Sequence, residues 1–240
     1  MNLIRKGHRQ SHRGVIGVES AIVMIAFVIV AAALAFVVLN MGFSTTQKAK
    51  TTISAGLGEA SSTIQVDGTV FGSGHVSAAK LNYTAVPIKI ASGGDSVNLD
   101  DATAAVKYLS NSISYDNIYA GTLTTTTQDN DDGTADGQWL SLEEASESAK
   151  DEGYISDDPF ESDGSSFPAT TKAFVYWTVN DNNNEILDQG EHAVLAIAYA
   201  SADRPAALDK VRAEILIPTG AALTIERQVP SITTEVVDLG

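Results

Sequence analysis

The stretch from Gly14 to Leu39 constrains this chain more than any other. It reads Gly-Val-Ile-Gly-Val-Glu-Ser and then an unbroken apolar run from Ala21 to Leu39, and no charged residue occurs between Glu19 and Lys48. At 1.5 Å per residue such a run just spans a hydrocarbon core of about 30 Å. A basic leader precedes it, with Arg5, Lys6, Arg9 and Arg13, an order that fits a cytoplasmic N-terminus and an exported remainder. A secretory signal is cut after its apolar segment, beside small residues. Here the obvious processing point, Arg13-Gly14, lies before that segment. Cleavage there would remove the leader and keep the helix.

The helical pattern does not stop at the membrane boundary. Ile53, Leu57, Ala60 and Ile64 continue at helical spacing. From Ser20 to about Gln65 that predicts roughly 70 Å of helix. Leu39 is followed by Asn40-Met41-Gly42-Phe43-Ser44, without a Lys/Arg stop-transfer cluster. A plain membrane anchor needs no such extension. The helix can instead leave lipid for another apolar environment, and a bundle of identical helices supplies one. Ala31, Ala32, Ala33 and Ala35 offer small faces for close packing in it. Glu19 sits one turn into the expected mature helix, where the N-terminal end of the dipole favours a carboxylate. If buried, it needs a partner; if solvated, it merely caps the helix.

Taken together, Arg13-Gly14, the mature start Val15-Ile16-Gly17-Val18-Glu19 and the uncharged helix behind them resemble the archaeal flagellins (archaellins), a branch of the type IV pilin-like proteins. The resemblance runs through Gly42-Phe43 and the Ala/Ser/Thr/Gly-rich segment from Thr51 to Ser62 as far as Gly68. It returns in Glu185-Ile186-Leu187-Asp188-Gln189-Gly190-Glu191 and in Ile217-Pro218-Thr219-Gly220-Ala221. It implies a class III signal peptide over residues 1–14, removed after Gly14 by a prepilin-like signal peptidase, so that Arg13, Gly14 and Val15 form the processing site. It further implies that Glu19 pairs with the new α-amino group of a neighbouring subunit. The chain would then be a homopolymer assembled from a membrane-bound precursor into an extracellular helical filament, with filament assembly and motor machinery as further partners. Residues 15–66 would form the filament core, and Ile25, Ile29 and Phe36 would lie among its apolar contacts.

The remaining residues, 67–240, suit one outer domain. The charge is split sharply. Setting aside the four basic residues of the leader and Glu19, 11 of the 15 Lys/Arg and 29 of the 30 Asp/Glu remain, a balance of −18. Such a surface argues against nucleic acid as a partner and for a solvated exterior. With no cysteine, the domain must hold itself by its core and by its neighbours.

Short runs of alternating or β-branched residues read as strands. They are Thr69–Phe71, Leu81–Val86, Ile88–Ile90, Ala104–Leu109, Ile118–Thr127, Ala173–Val179, His192–Tyr199, Val211–Ile217 and Leu223–Ile225, with Pro87 at an edge or turn. One helix interrupts them, opened by the capping box Ser141-Leu142-Glu143-Glu144 and closed by Gly153. The expected class is α+β: a long N-terminal hydrophobic helix followed by an Ig-like β-sandwich.

Asp181, Asn183, Glu185 and Asp188, with Glu191 nearby, offer oxygen ligands of the kind Ca²⁺ takes. Ile186 stands where an EF-hand loop has glycine, and a solvated turn explains the same residues. Asp129-Asn130-Asp131-Asp132-Gly133 is a weaker version of the pattern. Asn82-Tyr83-Thr84 is the one N-glycosylation sequon, as an exported surface protein could use. Nucleophile elbows, phosphate loops and zinc-protease motifs are missing, and His75 and His192 stand alone, so no enzyme and no organic cofactor is expected. Three functional classes remain: a motility-filament subunit, an adhesive pilin-like filament subunit, and a membrane-anchored binding protein that never polymerises. The segments at Leu187–Glu191 and Pro218–Ala221 tilt the balance to motility.

Overall fold

The computed structural model describes residues 13–61, 64–124, 137–160 and 166–240. The chain divides into two compact units, residues 1–55 and 56–240.

Helix α1 (Arg13–Ser61) holds almost the whole N-terminal unit. Its 49 residues amount to about 74 Å at 1.5 Å per residue. It contains no proline, and its four threonine hydroxyls are satisfied internally. Thr45 and Thr46 donate to the carbonyls of Met41 and Gly42, both at 2.8 Å, and Thr51 and Thr52 donate to that of Lys48 at 2.9 Å. Back-bonding of this kind lets threonine sit in a helix without requiring outside water. The helix ends earlier than its spacing suggests. Ile64, which continues the helical pattern, lies instead in β1 (Ile64–Val66), 2% exposed and opposite Ile90. Pairing with a neighbouring strand overrides the local period there.

The second unit is built on a seven-stranded sheet. Its strands are β1, β2 (Phe71–His75), β3 (Lys80–Ile90), β7 (Tyr119–Thr122), β8 (Lys172–Val179), β10 (His192–Ala198) and β13 (Val236–Asp238). They run in the order β13-β2-β3-β10-β8-β7, with β1 on β3. All pairs are antiparallel except β7–β8. A second, antiparallel sheet has the order β12-β11-β5-β6, from β5 (Ala105–Ser110), β6 (Ser114–Tyr115), β11 (Lys210–Leu216) and β12 (Leu223–Gln228). Two short strands, β4 (Val97–Asn98) and β9 (Ile186–Leu187), make a separate ribbon.

Both faces of the large sheet are covered. On one, Tyr199 packs against Tyr108 of the second sheet with ring centroids 5.6 Å apart, and its hydroxyl shares a 2.8 Å hydrogen bond with Thr84. On the other lies α2 (Leu142–Asp151), whose Ser146 hydroxyl hydrogen-bonds Tyr83 and donates to buried Asp158 at 2.5 Å. Double coverage explains why residues 81–86 and 193–198 are buried without alternation: a strand covered on two sides needs apolar or hydrogen-bonded side chains on both. Helix α2 is capped as its residues require. Ser141 Oγ accepts from Glu144 N–H at 3.2 Å, and Glu144 answers by accepting from Leu140 N–H at 3.0 Å. Gly153, at φ 79°, ends the helix with its N–H donating to Lys150 O.

Pro87 is neither at a turn nor at the end of a strand. It lies within β3 opposite Val194. On its other side β1 stops at Val66, opposite Ile88, and β2 starts at Phe71, opposite Ala85. Pro87 therefore faces a gap between two neighbours, where no ladder donor is needed, and its carbonyl accepts from Asp67 N–H at 2.8 Å. The sandwich expected from the strand pattern is present, with the parallel β7–β8 pair and α2 as additions.

Candidate functional site: the exposed apolar helix

The feature of the chain most in need of an explanation is α1. Eighteen large apolar side chains between Val18 and Leu57 are 51–76% exposed. Ile25, Ile29 and Phe36 are 60%, 63% and 67% exposed and lie along one side of a helix that is apolar all round. Such a helix is stable in water only when something covers it. Each of these side chains contributes about 1.5–3 kcal/mol when fully buried. Gly17, Gly42 and Gly56 leave open space where a Cβ would stand, so a neighbouring backbone can approach closely. The segment Gly17–Leu57, with a mean hydropathy of 3.3 over its most apolar window, is also the one helix among the described residues long and apolar enough to cross a membrane.

Arg13, Gly14 and Val15 form the first turn of α1, which carries no acidic residue. Glu19 is exposed and lies in the second turn of this helix, beyond the reach of the terminal dipole. The capping role expected for it requires the helix to begin later than Arg13.

The loop after β8 does not gather Asp181, Asn183, Glu185 and Asp188 into a ligand set. Among the described residues no group of three or more His, Asp or Glu side chains is placed to hold a metal ion. The loop's oxygens are engaged in shaping it. Asn180 Oδ1 accepts from the N–H groups of Asn182 and Asn183, Asn182 Oδ1 from Asn184, and Asn184 Oδ1 from Ile186. Asp188 accepts from Ser96 and from Asn182 Nδ2. Glu191, 2% exposed, accepts from Asp181 N–H at 3.0 Å and Asp188 N–H at 2.8 Å and closes the turn. The Glu185 carboxyl is raised above its usual range, first by burial and then by Asp100 and Asp101. Asp129–Gly133 lies outside the described residues.

Asn82 is 6% exposed and Thr84 2%, both within β3. Glycosylation needs the amide nitrogen accessible to an enzyme, so the folded unit does not present this sequon as a surface acceptor. Its burial comes from β2 on one side and the end of β10 on the other, which the tripeptide alone could not reveal.

One ion cluster went unread in the sequence. Asp67, directly after β1, accepts from Lys89 Nζ at 2.6 Å and is bonded to His192 Nδ1. The Lys89 bond, with a smaller contribution from His192, holds the Asp67 carboxyl below its usual range against a modest desolvation. Its three members are 22 and 103 residues apart in sequence and meet only through the β1–β3–β10 pairing.

Residues 14–227 match the family model described as archaeal-type flagellin. The chain is 34% identical over 219 residues to "Probable flagellin 1" of Aeropyrum pernix, covering 91% of this chain and 93% of that one. It is 35% identical to "Flagellin FlaB2" of Saccharolobus shibatae over 51% of this chain and 42% of that one. Among solved structures, a chain of the archaeal flagellum of Methanospirillum hungatei aligns with a TM-score of 0.55 at 21% identity, covering 92% of this chain and 98% of that one. Flagellin FlaB1 of Methanocaldococcus jannaschii aligns with a TM-score of 0.51 at 16% identity over 74% and 96%. At those identities the two structures establish a common fold.

Proposed function

Because the chain belongs to the archaeal-type flagellin family, we propose that its two units divide the work of a filament: α1 joins subunits and the β-rich unit faces water. The protein is a structural subunit of an extracellular archaeal flagellar filament, a homopolymer whose function is motility. The observation that carries the division of labour is the exposed apolar surface of α1. Packed among copies of itself, α1 would meet the apolar environment that its side chains require.

The resemblance of the N-terminal segment supports the following steps before assembly. A helix with this hydropathy waits in the cytoplasmic membrane, leader inside. A prepilin-like signal peptidase then cuts between Gly14 and Val15. The cut creates an α-amino group at Val15 and shortens the helix by its first two residues. Glu19 then becomes the fifth residue, close enough to the new terminus for the dipole to favour its carboxylate. Placed among apolar helices, that carboxylate requires a counter-charge, and the amino group of a neighbouring subunit is one that arises only after processing. The assembly and motor machinery act on this processed form.

N-terminal sequencing of assembled filaments tests the scheme. A start at Val15 is expected, and a start beyond Leu39 would contradict it. Glu19→Ala should be synthesised and processed yet give few filaments; an unchanged yield would remove Glu19 from assembly.

A further inference from the structure

The β-rich unit contains a cleft that filament formation does not explain. It measures about 320 Å³ and is lined by His75, Asn82, Pro159, Phe160 and Glu235, among others. That volume lies at the lower end of the range for small-molecule sites, about 300–1,000 Å³. A β-bulge shapes its wall. Ser73 of β2 is opposite Tyr83 and Gly74 is opposite Leu81, which leaves Asn82 without a partner on that strand. Gly74 N–H turns instead to Glu235 O at 2.7 Å, which draws the segment before β13 to the cleft. Bulges re-aim side chains and recur beside functional sites.

The polar groups at the bulge are unusually incomplete. Asn82 is 6% exposed, and its buried Oδ1 has no hydrogen-bond partner. His75 Nδ1 is likewise buried and unpartnered, while its Nε2 shares a 2.9 Å hydrogen bond with the Ser77 hydroxyl. Buried polar atoms are normally paired, and each orphan calls for an explanation. Beside them stands an apolar platform. Phe160 stacks on Tyr83 with centroids 5.2 Å apart and planes 10° from parallel, and it lines the cleft with Pro159.

We propose that this cleft is a binding site for a neutral monosaccharide unit, such as the terminal sugar of a surface glycan. A sugar hydroxyl both donates and accepts, so it suits the polar side chains of Asn82, His75 and Ser77 that line the cleft. The C–H face of a pyranose suits Phe160 and Pro159. The exposed Glu235 carboxylate at the same cleft can accept from further hydroxyls and disfavours an anionic ligand. A metal ion would find a single carboxylate here, too few for a hard cation.

Saturation-transfer NMR on intact filaments, with the methyl glycosides of glucose, galactose, mannose and N-acetylglucosamine as separate probes, tests the site. At least one glycoside should receive saturation from wild-type filaments. Glu235→Ala, at an exposed position, should weaken that binding at least tenfold while filaments form normally. Asn82→Leu, which removes the amide at similar volume, should abolish it, and Lys210→Ala, on another sheet, should leave it unchanged. Transfer to none of the four glycosides would overturn the proposal. So would equal transfer from wild-type, Glu235→Ala and Asn82→Leu filaments.

Discussion

The β-rich unit buries its apolar residues, and the N-terminal helix leaves its own exposed. In the β-rich unit Trp177, Tyr83, Tyr108, Tyr199 and Phe174 are each less than 2% exposed, and one continuous core includes residues of both large sheets and α2. In α1, side chains of the same hydrophobicity are mostly exposed. Under the proposed function, identical chemistry serves folding in one region and association in the other. The charge follows the same division, since no Asp, Glu, Lys or Arg lies between Glu19 and Lys48 while the acidic residues crowd the rest of the chain. A lesion in α1 should therefore spoil the filament and spare the fold, and a core lesion in the β-rich unit should do the reverse.

The largest effect is expected from a charge placed in α1. Ile25→Asp, Ile29→Lys or Phe36→Glu should abolish filaments, because an unpaired charge in an apolar bundle costs several kcal/mol in every subunit. The circular-dichroism spectrum of the β-rich unit should stay unchanged. Loss of that spectrum together with the filament would break the division between the two regions.

Next in size is Trp177→Ala. Removing a fully buried indole from β8 should cost about 3–5 kcal/mol of folding stability, read as a lower denaturant midpoint of the β-rich unit. The variant should still be processed and inserted, since α1 is untouched. Failure of processing would show that the two regions are coupled before assembly.

The smallest effect is expected at Asp67, the residue after β1. Asp67 has its folded pKa below its unfolded value because of Lys89 and His192. Its contribution is therefore present above the unfolded value, near pH 4, and is lost as pH falls through the lowered folded value. Asp67→Asn should reduce stability at pH 6 by less than about 1 kcal/mol, the usual size for partly exposed pairs. Wild type and variant should converge once pH falls below the lowered folded value. A difference that persisted there would assign the Asp67 effect to packing and not to charge.

How far these features could be read from the chain depends on whether they are local. The uncharged run and its length lie in one stretch, so the long apolar helix was legible. So were the capping box at Ser141, the central strands around Phe174 and Leu195, and the strand at Ala105, each signalled by neighbouring residues. What could not be read depends on distant pairing. Ile64 keeps the helical period yet pairs with Ile90. Pro87 looks like a break until the gap between β1 and β2 is known. The cluster Asp67–Lys89–His192 and the bulge at Asn82 exist only once β3 has found its neighbours. The acidic loop at Asp181–Asp188 shows the opposite case: its composition suggested a ligand set, while Asn side-chain oxygens accept from the loop's own N–H groups.

The central claim is that cohesion resides in α1. Sedimentation of a chain lacking residues 1–55, the whole N-terminal unit, tests it most directly. A soluble, folded β-rich unit should remain in the supernatant under conditions in which full-length, processed subunits pellet as filaments. Long filaments formed by the truncated chain would place the contacts in the β-rich unit and contradict it.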